Sequence, residues 1–192
     1  SDPVLINYVI IGRLSTEMRD YAGQLGSVFT APFVARRPLT AAEIDRIEHL
    51  FGVIQTLDHQ LRLAFDKTGS PLALKGAFAL IDEKFMAGGL PLVRRIHNIV
   101  RAGGEYGMTA AEFAKIYVPQ MNVILELRVA ALKKIAARMA EIDAESRQSL
   151  LISQGLTALA ALSVLACFLL LLFRLSRPLT QVNKALQQLA NG

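Results

Sequence analysis

The chain has 192 residues, enough for one core of ordinary size plus a short extra element, and 53% of them are hydrophobic. With a mean hydropathy of +0.38, that is too apolar for a typical soluble domain, so the excess must be concentrated somewhere. Lysine and arginine outnumber acids 21 to 16, but no basic run exceeds two residues and none is interleaved with aromatics, which argues against nucleic acid as a partner. The single cysteine, Cys167, excludes a disulfide framework within one chain.

Before the most apolar stretch, hydrophobic residues recur at steps of three and four and no segment alternates like a strand, so the expected class is all-α. The first helix carries the seam Ile11, Leu14, Met18, Tyr21, Leu25 and Val28. "APFVARRPL" breaks that pattern at Pro32 and Pro38. Thr40 and Glu43 form a capping box opening a second helix, whose seam runs Ile44, Ile47, Phe51, Ile54, Leu61 and Phe65. "DKTGSP" ends it, and Pro71 suits the first turn of a third helix along Leu74, Phe78, Ile81 and Phe85. "AGGLP", with Gly88, Gly89 and Pro91, then predicts a kink or split before Leu92, Ile96 and Ile99 resume the stripe. After "RAGGEYGM", Thr109 and Glu112 repeat the four letters TAAE, the same capping physics used twice. Pro119 should bend the fourth helix early, and nothing breaks it again before Pro178.

Residues 148–173 carry no charge, and from Leu156 onward only Thr157 and Ser163 interrupt the run. At ~1.5 Å per residue the stretch makes a helix of roughly 39 Å, enough to cross a ~30 Å hydrocarbon core with tilt. Its position near the C-terminus, and its length, exclude a secretory signal peptide. The expected architecture is an up-down four-helix bundle, residues 1–147, whose last helix continues through the lipid bilayer over 148–173.

Beyond the span, Leu179, Val182, Leu186 and Leu189 follow Pro178 at steps of three, four and three, a stripe too short to fold without partner helices. The stretch "RLSRPLTQVNKALQQLANG" resembles the start of a HAMP domain, the parallel coiled-coil relay of bacterial chemoreceptors, sensor kinases and membrane cyclases. The matching residues are Arg177, Pro178 and Leu179, the apolar positions Val182, Leu186 and Leu189, and the closing "LANG". The resemblance implies a parallel homodimer, with 174–192 as the beginning of a cytoplasmic relay module cut before its connector and a first membrane helix upstream of Ser1. Charge counts do not orient the span, since Lys133, Lys134, Arg138 and Arg147 precede it about as densely as Arg174, Arg177 and Lys184 follow it. The HAMP-like tail places the C-terminus in the cytoplasm and the bundle in the periplasm, across a bacterial inner membrane.

The helical region, through "LSTEMRDYAGQLGSVF" and "YVPQMNVILELRVAALKK", more loosely resembles the periplasmic sensor domains of proteobacterial receptors, including the nitrate- and nitrite-sensing type. That resemblance implies a small anionic ligand. The fourth helix has the stripe Tyr117, Met121, Ile124, Ala131, Ile135, Met139 and Ile142, with Arg128 on its own heptad position. An arginine in a seam pairs with a carboxylate, binds an anion, or snorkels to solvent at an edge. Asp58 holds the equivalent place between Ile54 and Leu61, so an Asp58–Arg128 ion pair is one account and a solvent-facing edge another. A third is an anion held by the bidentate geometry of Arg128, with Arg94, Arg95 and Arg19 as further donors. His49, His59 and His97 lack metal-ligand spacing, and no catalytic constellation or cofactor motif stands out, so no metal, cofactor or enzyme activity is expected of this fragment. The resulting expectation is the sensory and transmembrane part of a bacterial receptor, foremost a methyl-accepting chemotaxis protein. The alternatives are the input half of a histidine kinase or diguanylate cyclase, and a non-sensing dimerisation or anchoring module.

Overall fold

A computed structural model describes residues 2–190, with side chains for all of these except 149 and 171–190. It is all-helical, with no strand among the described residues, and divides into two compact units, Ser1–Met139 and Ala140–Gly192.

In the first unit the elements are α1 (Pro3–Val28), α2 (Thr30–Ala35), α3 (Ala41–Asp66), α4 (Leu72–Leu80), a π-helical segment (Ile81–Gly89), α5 (Leu90–Arg101), α6 (Ala110–Asn122) and the start of α7 (Ile124–Ala190). They form four limbs, α1–α2, α3, α4 to α5, and α6 to α7, an arrangement compatible with an up-down four-helix bundle. Long-range hydrogen bonds fix the pairing of the first and last limbs. The Tyr117 hydroxyl donates to the Ala22 carbonyl at 2.8 Å, and Arg138 Nε donates to Asp2 at 2.6 Å, so α1 and the α6–α7 limb run antiparallel.

Local chemistry explains the helix starts. Asp2 caps α1 by accepting from the Val4 and Leu5 amides, ahead of Pro3 in the first turn, where a missing N–H costs nothing. Thr40 and Glu43 form the expected capping box on α3, and Thr109 and Glu112 form one on α6. The seams of α1 and α3 reach the core through Ile11, Leu14, Met18, Leu25, Ile47, Phe51, Ile54 and Leu61. The proline-containing segment after α1 is not a plain break. Pro32 occupies the first turn of the short helix α2, which delivers Phe33 to the core beside Phe29 and Phe113.

At Gly88, Gly89 and Pro91 the third limb neither stops nor splits, and the irregularity is absorbed as the π-helical segment, in which the Leu90 amide reaches back five residues to the Phe85 carbonyl. The widened turn accommodates the proline ring, which in α register would clash with the preceding turn. The glycines also let α6 approach: a Cβ at Gly88 would lie 3.1 Å from Gln120 Nε2. Where a bend is expected after Pro119, the helix is interrupted at Val123, the boundary between α6 and α7, and Glu126 bonds back three residues instead of four.

In the second unit α7 continues as helix to Ala190. Its apolar stretch is the one helical segment among the described residues long and apolar enough to cross a membrane, with a mean hydropathy of 1.9 over its best window and none of that window buried. The side chains of Pro178, Leu179, Val182, Leu186 and Leu189 lie outside the described set.

Candidate ligand-binding cleft

A half-open cavity of about 930 Å³ lies at the loop end of the first unit, walled by Phe33, Arg36, Arg37, Glu105, Tyr106 and Met108 among others. Its volume falls in the range of small-molecule sites, and its lining mixes aromatic and charged groups. It forms where the link from α2 to α3 meets the link from α5 to α6. The Tyr106 hydroxyl donates to the Arg37 carbonyl at 2.7 Å, tying together two loops 69 residues apart in sequence. The Tyr106 ring rests on Phe33, with centroids 4.5 Å apart, and burial pushes its hydroxyl pKa up.

Most of the charge around this cleft is already neutralised. Arg37 grips Glu43 with two hydrogen bonds of 2.8 and 2.7 Å, while the Thr40 amide and hydroxyl donate to the same carboxylate at 2.8 and 3.0 Å. Charge-assisted donors of this kind favour the ionised form, and they hold Glu43 down to about 2. Glu112 accepts from the Thr109 amide and hydroxyl at 2.7 and 2.9 Å, which lowers its pKa too. Arg36 lines the cleft with φ 48° and ψ 42°, a left-handed conformation that closes α2 and that glycine adopts more readily. Arg36 and Glu105 have no ion-pair or hydrogen-bond partner among the described side chains.

The arginines singled out by sequence fall elsewhere. Arg128 is exposed on α7, because Leu127 takes the core position between Ile124 and Ala131. Asp58 does not reach Arg128. It pairs with Arg62 one turn along α3, at 2.9 Å, and Arg62 also binds Asp82. Arg95 is exposed on α5, seven residues beyond the Gly88–Gln120 contact, while Arg128 lies eight residues beyond it on the antiparallel limb. At ~1.5 Å per residue, in opposite directions, the two are about 22 Å apart along the bundle and do not converge on one small anion. Arg94 stacks over the Phe51 ring at 5.1 Å. Arg19, a third exposed, donates to Asn122 at 3.4 Å and lies within 4 Å of Asp20. Among the described residues no group of three His, Cys, Asp or Glu side chains is placed to hold a metal.

Sequence reasoning passed over the cleft and the burial of His97. The cleft itself depends on the Tyr106–Arg37 tie, which no periodicity signals. His97 is only 2% exposed, with Nδ1 3.7 Å from Glu48 and Nε2 without a partner, on the α5 face it shares with Val93, Ile96 and Val100. No protein-family model, curated protein or solved structure matches this chain at a significant level.

Proposed function

We propose that the chain is the sensory and transmembrane part of a bacterial receptor of the methyl-accepting chemotaxis type. On this reading the first unit is periplasmic, 148–173 cross the inner membrane, and 174–192 begin a cytoplasmic HAMP relay. The observation that carries the reading is the double role of α7. It supplies Ile124, Leu127 and Ala131 to the core and also carries an uncharged stretch that matches a bilayer in length and whose most apolar window has no buried residue. Displacing a core-packed helix is the kind of two-state change that ligand binding can bias. The loop-end cleft is the input, in place of a cluster of Arg128 and Arg95.

The receptor works as a parallel homodimer. Supporting this are Ile6 and Val9 on α1 and Val129 and Leu132 on α7, each about half-exposed although large and apolar. Leu179, Val182, Leu186 and Leu189 would extend the contact as a coiled coil. In a Cys167→Ala background, Leu186→Cys should cross-link to its own copy in membranes much faster than Lys184→Cys, which points off the seam. Equal rates at the two positions would remove the parallel relay from this reading.

A further inference from the structure

We propose that the Asp2–Arg138 pair is a clasp that holds α7 in its packed position along α1, and that α7 is displaced only when this clasp opens. The inference rests on the reading of α7 as the helix that carries the signal.

The two oxygens of the Asp2 carboxylate have different partners. Oδ1 accepts from the Val4 and Leu5 amides at 2.9 and 3.2 Å, which starts α1, and Oδ2 accepts from Arg138 Nε at 2.6 Å. Because Oδ1 is held by the turn that begins α1, the carboxylate cannot swing to follow Arg138 without giving up the cap. Both groups are partly shielded, with the Asp2 side chain 16% and that of Arg138 37% exposed. The Arg138 hydrogen bond, and after it the Leu5 amide, hold the Asp2 carboxyl below its ordinary range, so the pair stays charged at neutral pH. Release there comes from a pull on α7 and not from protonation.

Arg138 sits where apolar packing does little to fix α7. The side chains that α7 buries fully are Ile124, Leu127 and Ala131. The next seven residues, about 10 Å of helix, add only half-buried contacts at Lys134, Ile135 and Arg138 itself. Hydrogen bonds from Tyr117 to Ala22 and from Arg19 to Asn122 also pin α1 to the last limb, but both reach α6, before the interruption at Val123. Apolar burial scales with area and is non-directional, so it tolerates small slides and rotations of α7. A hydrogen bond weakens steeply with distance and angle, and a charge-assisted one has more to lose. Asp2–Arg138 thus sets the position that the apolar seam leaves loose, one residue before the first unit ends at Met139.

The test is the rate of thiol labelling of the full chain in detergent micelles, with Cys167→Ala as background. Ala131→Cys, at a position with no exposure on α7, reports release of that helix, and Ala64→Cys on α3 reports loosening of the bundle as a whole. Asp2→Asn and Arg138→Gln should each speed labelling at 131 roughly 2- to 5-fold, what a partly exposed ion pair supplies, and leave labelling at 64 unchanged. Asparagine caps a helix as well as aspartate does, so the start of α1 survives in Asp2→Asn, and a role in capping alone would leave its rate at the parent value. The double variant should label no faster than either single one, because both remove the same contact. The proposal is overturned by parental rates at 131 in either single variant, by equal acceleration at 131 and 64, or by single effects that multiply in the double. Sidedness labelling at 146 and 191 does not depend on the pair. Parental rates with the expected topology therefore sink the clasp alone, and reversed topology sinks the receptor reading even if the clasp opens.

Discussion

Gly26 is the position where the packing of α1 on α6 can be tested most sharply. A Cβ there would lie 2.7 Å from Tyr117 Cε1 and 3.0 Å from Cδ1, closer than real side chains approach. The ring cannot move aside easily. Tyr117 is 1% exposed, stacks on Phe113 at 5.1 Å with planes 12° apart, and is tethered by its hydroxyl to Ala22 at 2.8 Å. Two effects oppose each other in Gly26→Ala. Alanine favours the helix by about 1 kcal/mol over glycine, while overpacking a fixed core costs about 1–3 kcal/mol. With both neighbours of the ring fixed, the upper part of that range applies, for a net destabilisation of about 1–2 kcal/mol. At roughly 3 °C per kcal/mol, the thermal midpoint followed by circular dichroism in detergent should fall by about 3–6 °C. Gly12→Ala is the control, since its Cβ would meet nothing within 4 Å. It should raise the midpoint by about 2–3 °C through helix propensity alone. In a Tyr117→Leu background the Gly26→Ala penalty should shrink, because the two sites couple directly. If Gly26→Ala stabilises as Gly12→Ala does, Tyr117 does not pack on α1 and the pairing of the first and last limbs is mistaken.

Acid should act on the Arg37–Glu43 pair. The pKa of the Glu43 carboxyl, held at about 2 in the folded state, lies below the ordinary 4.5, so the stability the pair contributes is present above pH 4.5 and is lost as pH falls towards 2. Melting of the parent should therefore drop more steeply between pH 5 and 2.5 than melting of Glu43→Gln, and parallel curves would show the pair to be absent. Arg62→Ala strands Asp58, whose side chain is 14% exposed, and should cost about 1 kcal/mol, less in high salt. Arg128→Ala, on an exposed position, should stay within about 0.5 kcal/mol of the parent. The reverse order in denaturant titrations would restore Arg128 to a buried role.

Much of the helical fold was legible because its signals are local. Steps of three and four gave the α1 and α3 seams, and each TAAE gave a helix start through its own hydrogen bonds. Arg128 stays open among three accounts because registers compete there, and the structure places it on an exposed face, the solvent-facing alternative. After Ile124, both a three-residue step to Leu127 and a four-residue step to Arg128 fit a helical stripe, and the turn at Val123 after Pro119 resets the phase. Desolvation decides between them, since burying leucine is favourable and burying an unpaired guanidinium is not. The same logic explains Asp58, whose partner one turn away needs no tertiary contact. Gly88, Gly89 and Pro91 announce an irregularity, but whether a helix breaks or widens depends on the chain it packs against, here Gln120. The cleft was hidden for a different reason: Phe33, Arg36, Glu105 and Tyr106 come from two links that meet only through tertiary structure.

The central claim, that α7 carries a signal across a membrane, is tested most directly by sidedness. With Cys167→Ala as background, Ser146→Cys and Asn191→Cys are probed separately on intact spheroplasts with a membrane-impermeant thiol reagent. The account predicts labelling at 146 without lysis and at 191 only after lysis. Labelling at 191 but not at 146 on intact spheroplasts would reverse the orientation, and labelling of both would mean that residues 148–173 do not span.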